Sequence, residues 1–294
     1  MHVHLPDKHQ LQSFQSFPKL SSHILAATNK AANLIQSLRK HLEVLWMTVM
    51  KIVAVTVVFV ITAFFFKEQL FDVILAPKNG KFITYRLLNR IILWTGNSIP
   101  PFSIRFINTE FAQQFIIHMK TALCVGMLCT SPYILYQLFR FVSPALYDNE
   151  RRYVIRMVGG GYAMFSLGVL VSYFLIFPLT FRFLGTYQVN GDVDTLITFD
   201  SYISTLVMMC LAMGVIFEIS ILSWLFAKLG FLSADFMRKY RKHAIVIILV
   251  VAAIITPTSD VFTLSLVALP MWVLYEMSIW IVKNSKMNED TVAT

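Results

Sequence analysis

Charge is scarce in this chain of 294 residues. Only 14% of it is Asp, Glu, Lys or Arg, while 57% is hydrophobic and the mean hydropathy is +0.66. Soluble domains carry about a quarter charged residues, so the composition excludes an ordinary soluble domain and points to a polytopic membrane protein. Cysteine is equally sparse. Cys124, Cys129 and Cys210 all fall inside apolar runs, and an odd number without metal-ligand spacing excludes a disulfide framework and a zinc site. They read as small packing residues. There is no glycine-rich phosphate loop, no H-E-x-x-H and no G-x-S-x-G. No ATP site, metal, cofactor or catalytic centre is therefore expected, and the chain reads as a non-enzyme. No repeat or low-complexity block is visible. Nor is a cleavable leader, since the first forty residues are mostly polar, and the first span is expected to direct insertion.

What the chain has is long apolar runs. They predict an all-α polytopic membrane protein with six transmembrane helices at about 46–66, 115–139, 154–181, 202–225, 244–256 and 261–282. Residues 1–40 form a polar extension, with weak helical spacing over 24–38; 41–283 form one membrane domain, and 284–294 a polar tail. Residues 67–114 carry the turn signals Pro77, Asn79-Gly80, Gly96-Asn97 and Pro100-Pro101 around an amphipathic piece, Phe82–Trp94. They read as a structured outer cap rather than a linker. The fifth and sixth spans are the short ones. Ala244–Ile255 is about 12 residues and reaches roughly 18 Å, against a hydrocarbon core of roughly 30 Å. Such a helix thins the bilayer locally, snorkels at its flanks or enters without crossing.

The net charge of +9 raises nucleic acid as a partner, but the basic residues do not form a stripe. They concentrate in 1–51, 140–156, 228–242 and the tail, between apolar runs. By the positive-inside rule both termini are expected in the cytoplasm, and nucleic acid is not expected as a partner. Lys120 and His118 open the second span as outer interface anchors, with Trp46, Trp224 and Tyr240 near other interfaces.

Two acids stand inside spans. Glu218 lies roughly 15 Å below the Lys228 boundary if helical, either as a protonated acid bonded to a neighbouring helix or as a polar patch that holds a substrate or partner. Glu276 is nearer the cytosolic surface, where it snorkels or caps. Glu218 and Asp260 together also permit a small-solute secondary transporter. Such proteins commonly carry two related halves with broken spans in corresponding places, and no internal symmetry is visible here.

The stretch Thr130–Arg152 ends an apolar run in a short charged loop. It contains Ser131-Pro132, Leu135-Tyr136-Gln137, Phe141-Val142-Ser143-Pro144-Ala145-Leu146-Tyr147 and Glu150-Arg151-Arg152. Further on come Phe177-Pro178-Leu179, Gly214–Glu218, Arg238-Lys239 with Arg241, Thr256-Pro257 with Asp260-Val261-Phe262, Ala268–Met271 and Tyr275-Glu276. In this order, from about His41 to Lys283, the chain resembles the TatC family, the multispanning receptor subunit of the twin-arginine protein translocase. The resemblance implies six helices in a concave, glove-like bundle, N-in and C-in, with an outer cap, in the inner (plasma) membrane of the cell.

It also implies a cytoplasmic face that binds twin-arginine signal peptides of folded cargo. Single-span subunits of the TatA/TatB family are implied as partners in an oligomeric complex, with transport driven by the proton-motive force. By position, Glu150 matches the family's signal-binding acid, supported by Phe141, Pro144, Leu146, Tyr147, Arg151 and Arg152. The second signal-binding acid falls on Glu43, one residue earlier than in the family's H-L-x-E-L-R. Glu218 matches the intramembrane acid, Asp260 an outer-loop acid and Pro77 a cap proline. A carboxylate pairs with a guanidinium as a planar fork that lysine cannot reproduce, which suits an Arg-Arg signal.

Overall fold

Helices form where the apolar runs lie. The computed structural model describes residues 36, 39–40, 42–80, 82–93, 106–142, 151–187, 197–228, 232–256 and 260–292. Among the described residues, five helices are long and apolar enough to cross a membrane: Leu42–Phe65, Gln113–Leu138, Val158–Thr186, Phe199–Ala227 and Val261–Asn284. The chain divides into two units, Met1–Val53 and Ala54–Thr294. The described part of the first is helical and presents Leu42, Trp46, Met47 and Val53 on its surface.

The second unit begins within the first span and holds the elements that follow it. The first span, α1 (Leu42–Phe65), is followed by α2 (Lys67–Leu75), a 3₁₀ turn (Ala76–Lys78), α3 (Ile83–Leu93) and strand β1 (Phe106–Ile107). Helix α4 (Gln113–Val142) comes next, then α5 (Arg151–Val171), which runs through a π turn (Ser172–Ile176) into α6 (Phe177–Thr186). After β2 (Ile197–Thr198) come α7 (Phe199–Lys228), α8 (Ala234–Lys239), α9 (Arg241–Ile255) and α10 (Val261–Val292). Two expectations change. Helix α9 starts earlier than expected, at 15 residues and roughly 22 Å, and is still shorter than a full span. The sixth run is not short: α10 extends over 32 residues, because nothing between Lys283 and Val292 is a Gly or Pro that stops a helix.

Helix α7 is the pivot, packing on α5 and on α10. Lipid tails are as apolar as leucine, so in a membrane helices gain little from hydrophobicity and need close van der Waals approach. The α5–α7 crossing supplies it. A β-carbon at Gly168 would lie 2.5 Å from the Met213 carbonyl oxygen and 2.8 Å from Phe217 Cγ, and one at Gly214 would lie 2.8 Å from the Phe165 ring. Each phenylalanine thus fills the gap left by the other helix's glycine. Elsewhere in the unit, Val57, Val58, Phe59 and Ile61 on α1 and Ile245, Val246, Ile247 and Val250 on α9 stay exposed, as lipid-facing residues do.

Prolines inside spans free carbonyls that must be satisfied without water. Pro132 cannot donate to the Leu128 carbonyl, and Ser131 Oγ donates to it at 2.7 Å. Pro178 cannot donate to the Phe174 carbonyl, and Thr84 Oγ1 from α3 does so instead. The last-turn carbonyls of α2 are bonded in the same way: Tyr202 Oη donates to Ile74 at 2.9 Å and Tyr173 Oη to Val73. The three bonds from Thr84, Tyr202 and Tyr173 hold α2 and α3 to the bundle, while the short parallel pairing of β1 with β2 and a ring cluster of Phe106, Phe177, Phe181 and Tyr202 hold β1 against it. Here we call this the cap end.

Tyr85 on α3 is nearly fully buried and donates from Oη to the Pro178 carbonyl at 3.1 Å. Burial pushes its phenol up from 10.0 to about 12, partly offset by the Arg182 guanidinium, which favours the phenolate. A raised folded value stabilises the fold fully below the unfolded value and loses that contribution as pH rises from 10 towards 12. The wild-type chain is therefore expected to lose thermal stability across that window. Tyr85→Phe should start lower and stay flatter over the same range in a melting series.

Candidate functional site

The most unusual side chain inside a span is Glu218. It sits on α7, is 7% exposed, and neither carboxylate oxygen has a hydrogen-bond partner among the described residues. One turn before it is Gly214 and beside it Phe217, the two residues that lock α7 against α5. Two positions on, Ser220 shares a 3.2 Å hydroxyl contact with Ser278 of α10. An ionised acid at mid-bilayer costs at least about 2.5 kcal/mol, and a buried polar group left unbonded costs about 1–3 kcal/mol. Of the two roles that the sequence leaves open for Glu218, a bond to a neighbouring helix is absent among the described residues. The acid calls for a donor.

Glu276 behaves differently. Its Oε2 accepts from Arg241 Nη2 at 2.6 Å, and both side chains are part-exposed. Beside it Tyr275 Oη donates to the Met237 carbonyl at 2.7 Å, and Ser233 caps α8 by accepting from the Phe236 amide at 3.2 Å. These contacts fix α8, the start of α9 and the inner part of α10 to one another. Arg238, Lys239 and Lys242 project from this end, which we call the basic end.

Asp260 is a helix cap. Its Oδ2 accepts from the Thr263 amide and from Thr263 Oγ1, each at 2.7 Å, which satisfies an orphan donor at the start of α10. Asp260→Ala is expected to lower stability by about 1 kcal/mol, and Asp260→Asn much less, read by melting both variants alongside the parent. Pro77 is buried in the 3₁₀ turn that ends α2.

The first-loop residues are reached only by their flanks. Phe141 lies in the last turn of α4, and Arg151 and Arg152 open α5, whereas Pro144, Leu146, Tyr147 and Glu150 lie outside the described residues. The two flanks belong to the basic end. Leu135, Phe165 and Leu225 form one cluster, and Ala227 clusters with Ala234, Met237 and Ile279. The later parts of α4 and α7 thus meet α5 in one cluster, and the end of α7 meets α8 and α10 in another. Glu43 is exposed in the first unit.

His118 is not an interface anchor. It is buried, with its ring stacked on Phe64 at 4.1 Å between centroids. Cys124 and Cys210 are buried as packing residues should be, while Cys129 is exposed. Lys120 lies toward the cap end and is paired, its Nζ donating to Asp200 Oδ1 at 2.7 Å. The sequence hides this pair because its members are 80 residues apart; the one local sign is an acid in the first turn of α7.

The comparisons agree with this frame. The sequence model of the family described as "Sec-independent protein translocase protein (TatC)" matches residues 40–270. A protein of that description from Blattabacterium sp. subsp. Periplaneta americana is 34% identical over 256 residues, 84% of this chain and 92% of that protein. One from Campylobacter jejuni is 30% identical over 85% of this chain and 95% of its own length. Among solved structures, a crystal structure of the twin arginine translocase receptor TatC superposes with a TM-score of 0.69 at 31% identity, covering 84% of this chain and 99% of that one.

Proposed function

The chain belongs to the TatC family and is a multipass membrane protein, a core subunit of the Sec-independent translocase, and from that premise we propose that it is the receptor that reads twin-arginine signal peptides at its basic end. The Glu150 carboxylate pairs with the signal's guanidinium groups, Glu43 supplies a second acid, and the loop residues Phe141, Pro144, Leu146, Tyr147, Arg151 and Arg152 shape the surface around them. The basic end faces the cytoplasm of a cell bounded by the inner membrane, both termini lie on that side, and residues 67–114 cap the other. Helix α9 completes six spans by drawing the bilayer thin around its roughly 22 Å. Single-span TatA/TatB-type subunits present a donor to Glu218, and the proton-motive force drives export of folded cargo. The protein is a binding scaffold rather than an enzyme.

One observation carries this reading. The specific string F-x-x-P-A-L-Y-x-x-E-R-R joins α4 and α5, the two helices that meet α7 through Leu135, Phe165 and Leu225. An isolated exposed ion pair contributes only about 0.2–1 kcal/mol, so reading Arg-Arg specifically requires more than one acid and some desolvation. The test is export of a folded fluorescent protein behind a twin-arginine signal, in cells whose sole TatC is this chain. Export that stops when an uncoupler collapses the proton gradient supports the reading. Uptake of a small solute by this chain alone in vesicles, with no export of the reporter, overturns it in favour of a transporter.

A further inference from the structure

Lys120 stands between two apolar grooves. The first, of about 290 Å³, runs between α1 and α4 and is lined by Val60, Phe115, Ile116 and Met119. The second, of about 330 Å³, runs between α4 and α7, lined by Met127, Val207, Met208 and Leu211 among others, with Ser204 at its polar edge. Lys120 and Leu123 belong to both. The grooves therefore diverge from one charged point into the bilayer, and each lies along helices that are long enough to span.

That charged point is dipolar. Lys120 Nζ bonds Asp200 Oδ1 at 2.7 Å and reaches Ser204 Oγ at 3.5 Å. An ammonium has three donors, so a third hydrogen remains for an anionic oxygen. Asp200 keeps a second carboxylate oxygen for a cation. Both side chains are part-exposed, 45% and 35%.

We propose that this is a binding site for one diacyl aminophospholipid of the phosphatidylethanolamine class, with its headgroup on the Lys120–Asp200 pair and one acyl chain in each groove. The chemistry selects the headgroup. The lipid phosphate accepts from Lys120 and its primary ammonium donates to Asp200, so a dipolar headgroup meets a dipolar pair with its charges matched. A phosphatidylglycerol headgroup offers no cation to Asp200, and the quaternary nitrogen of phosphatidylcholine has no N–H to donate.

The shape selects two chains. Each groove holds roughly ten groups the size of a methylene, taking about 30 Å³ for each as for a water. The Lys120–Leu123 ridge separates them, whereas a partner helix needs one trough of roughly 10–12 Å across. Met127 and Met208 on the walls are unbranched and adapt to a flexible chain. This proposal stands apart from signal recognition, which takes place at the opposite end of the bundle.

The test uses the full chain reconstituted in nanodiscs of equimolar phosphatidylethanolamine, phosphatidylglycerol and phosphatidylcholine, then released into mild detergent for native mass spectrometry. The expected result is a single phosphatidylethanolamine retained by the wild-type chain. Lys120→Gln and Asp200→Asn should each lower that retention about tenfold. Leu123→Trp fills the junction of the grooves and leaves the ion pair in place, and it should lower retention as strongly. Met277→Trp, on an exposed part of α10, should leave it unchanged. Equal retention of all three lipids, undiminished retention in Leu123→Trp, or capture of a second polypeptide in place of lipid would each overturn the proposal.

Discussion

A Glu150→Gln chain is expected to insert and fold normally, yet to bind a twin-arginine signal peptide about ten- to a hundredfold more weakly and to lose most export. Glutamine keeps the shape and one carbonyl oxygen but removes the charge and the fork geometry that a carboxylate offers a guanidinium. The lower bound comes from losing a single charge-assisted pair, and the upper from leaving a partly desolvated arginine without its partner. Glu150→Lys should be worse, since it adds repulsion to loss. Glu43→Gln discriminates further. A second acid that shares the signal should cost several-fold in affinity, and the double variant more than either alone. If neither single change alters affinity or export, the paired-acid account is wrong.

The second large effect concerns Glu218, where stability and function are expected to move in opposite directions. Both oxygens are buried without a partner among the described residues, so the group costs about 1–3 kcal/mol in the resting chain. Glu218→Leu removes that cost and fills similar space, and should raise the melting temperature in detergent or nanodiscs. Export should fall severely, because the donor that the proposed partner helix presents would then meet a hydrocarbon wall. Glu218→Gln is the informative intermediate. It keeps an acceptor and adds a donor, so it should retain more export than leucine at a stability close to that of the parent. A leucine variant that is both less stable and fully active would remove Glu218 from any partner role. Sites that combine poor self-satisfaction with function are where stability is commonly given up.

Much of the frame was legible in the sequence because membrane spans write themselves in apolar length. The second, third and fourth spans fall within a few residues of the runs that predicted them, and the shortness of the fifth helix was visible in its residue count. The turn signal at Pro77 coincides with the 3₁₀ turn, Ala76–Lys78, that follows α2. Other features depend on contacts that no local pattern encodes. Pro178 announces an unsatisfied carbonyl at Phe174, but its donor, Thr84, is 90 residues away in α3. His118 looked like an anchor because it neighbours Lys120, and is instead buried against Phe64 of α1. The length of α10 was misjudged for another reason: polar residues after Val282 suggested a tail, yet polarity alone does not stop a helix.

The candidate site divides along the same line. Glu218 was visible as an acid in an apolar run, and only packing reveals that neither of its oxygens has a partner among the described residues. Asp260, which the family match placed on the outer face, turns out to hold the start of α10 through Thr263. Glu276 was expected to snorkel or cap, and its ion pair with Arg241 links α9 to α10, so the length of α9 is fixed at the basic end by a specific contact. The first-loop acid, Glu150, lies outside the described residues and rests on the motif.

The central claim, that the loop around position 150 receives the signal, is tested most directly by placing a photoreactive residue at position 150 and illuminating the assembled translocase with a twin-arginine signal peptide bound. A crosslink to the peptide that disappears when its Arg-Arg is replaced by Lys-Lys is the predicted result. Labelling that is unchanged by that replacement, or no labelling while export proceeds, would contradict it.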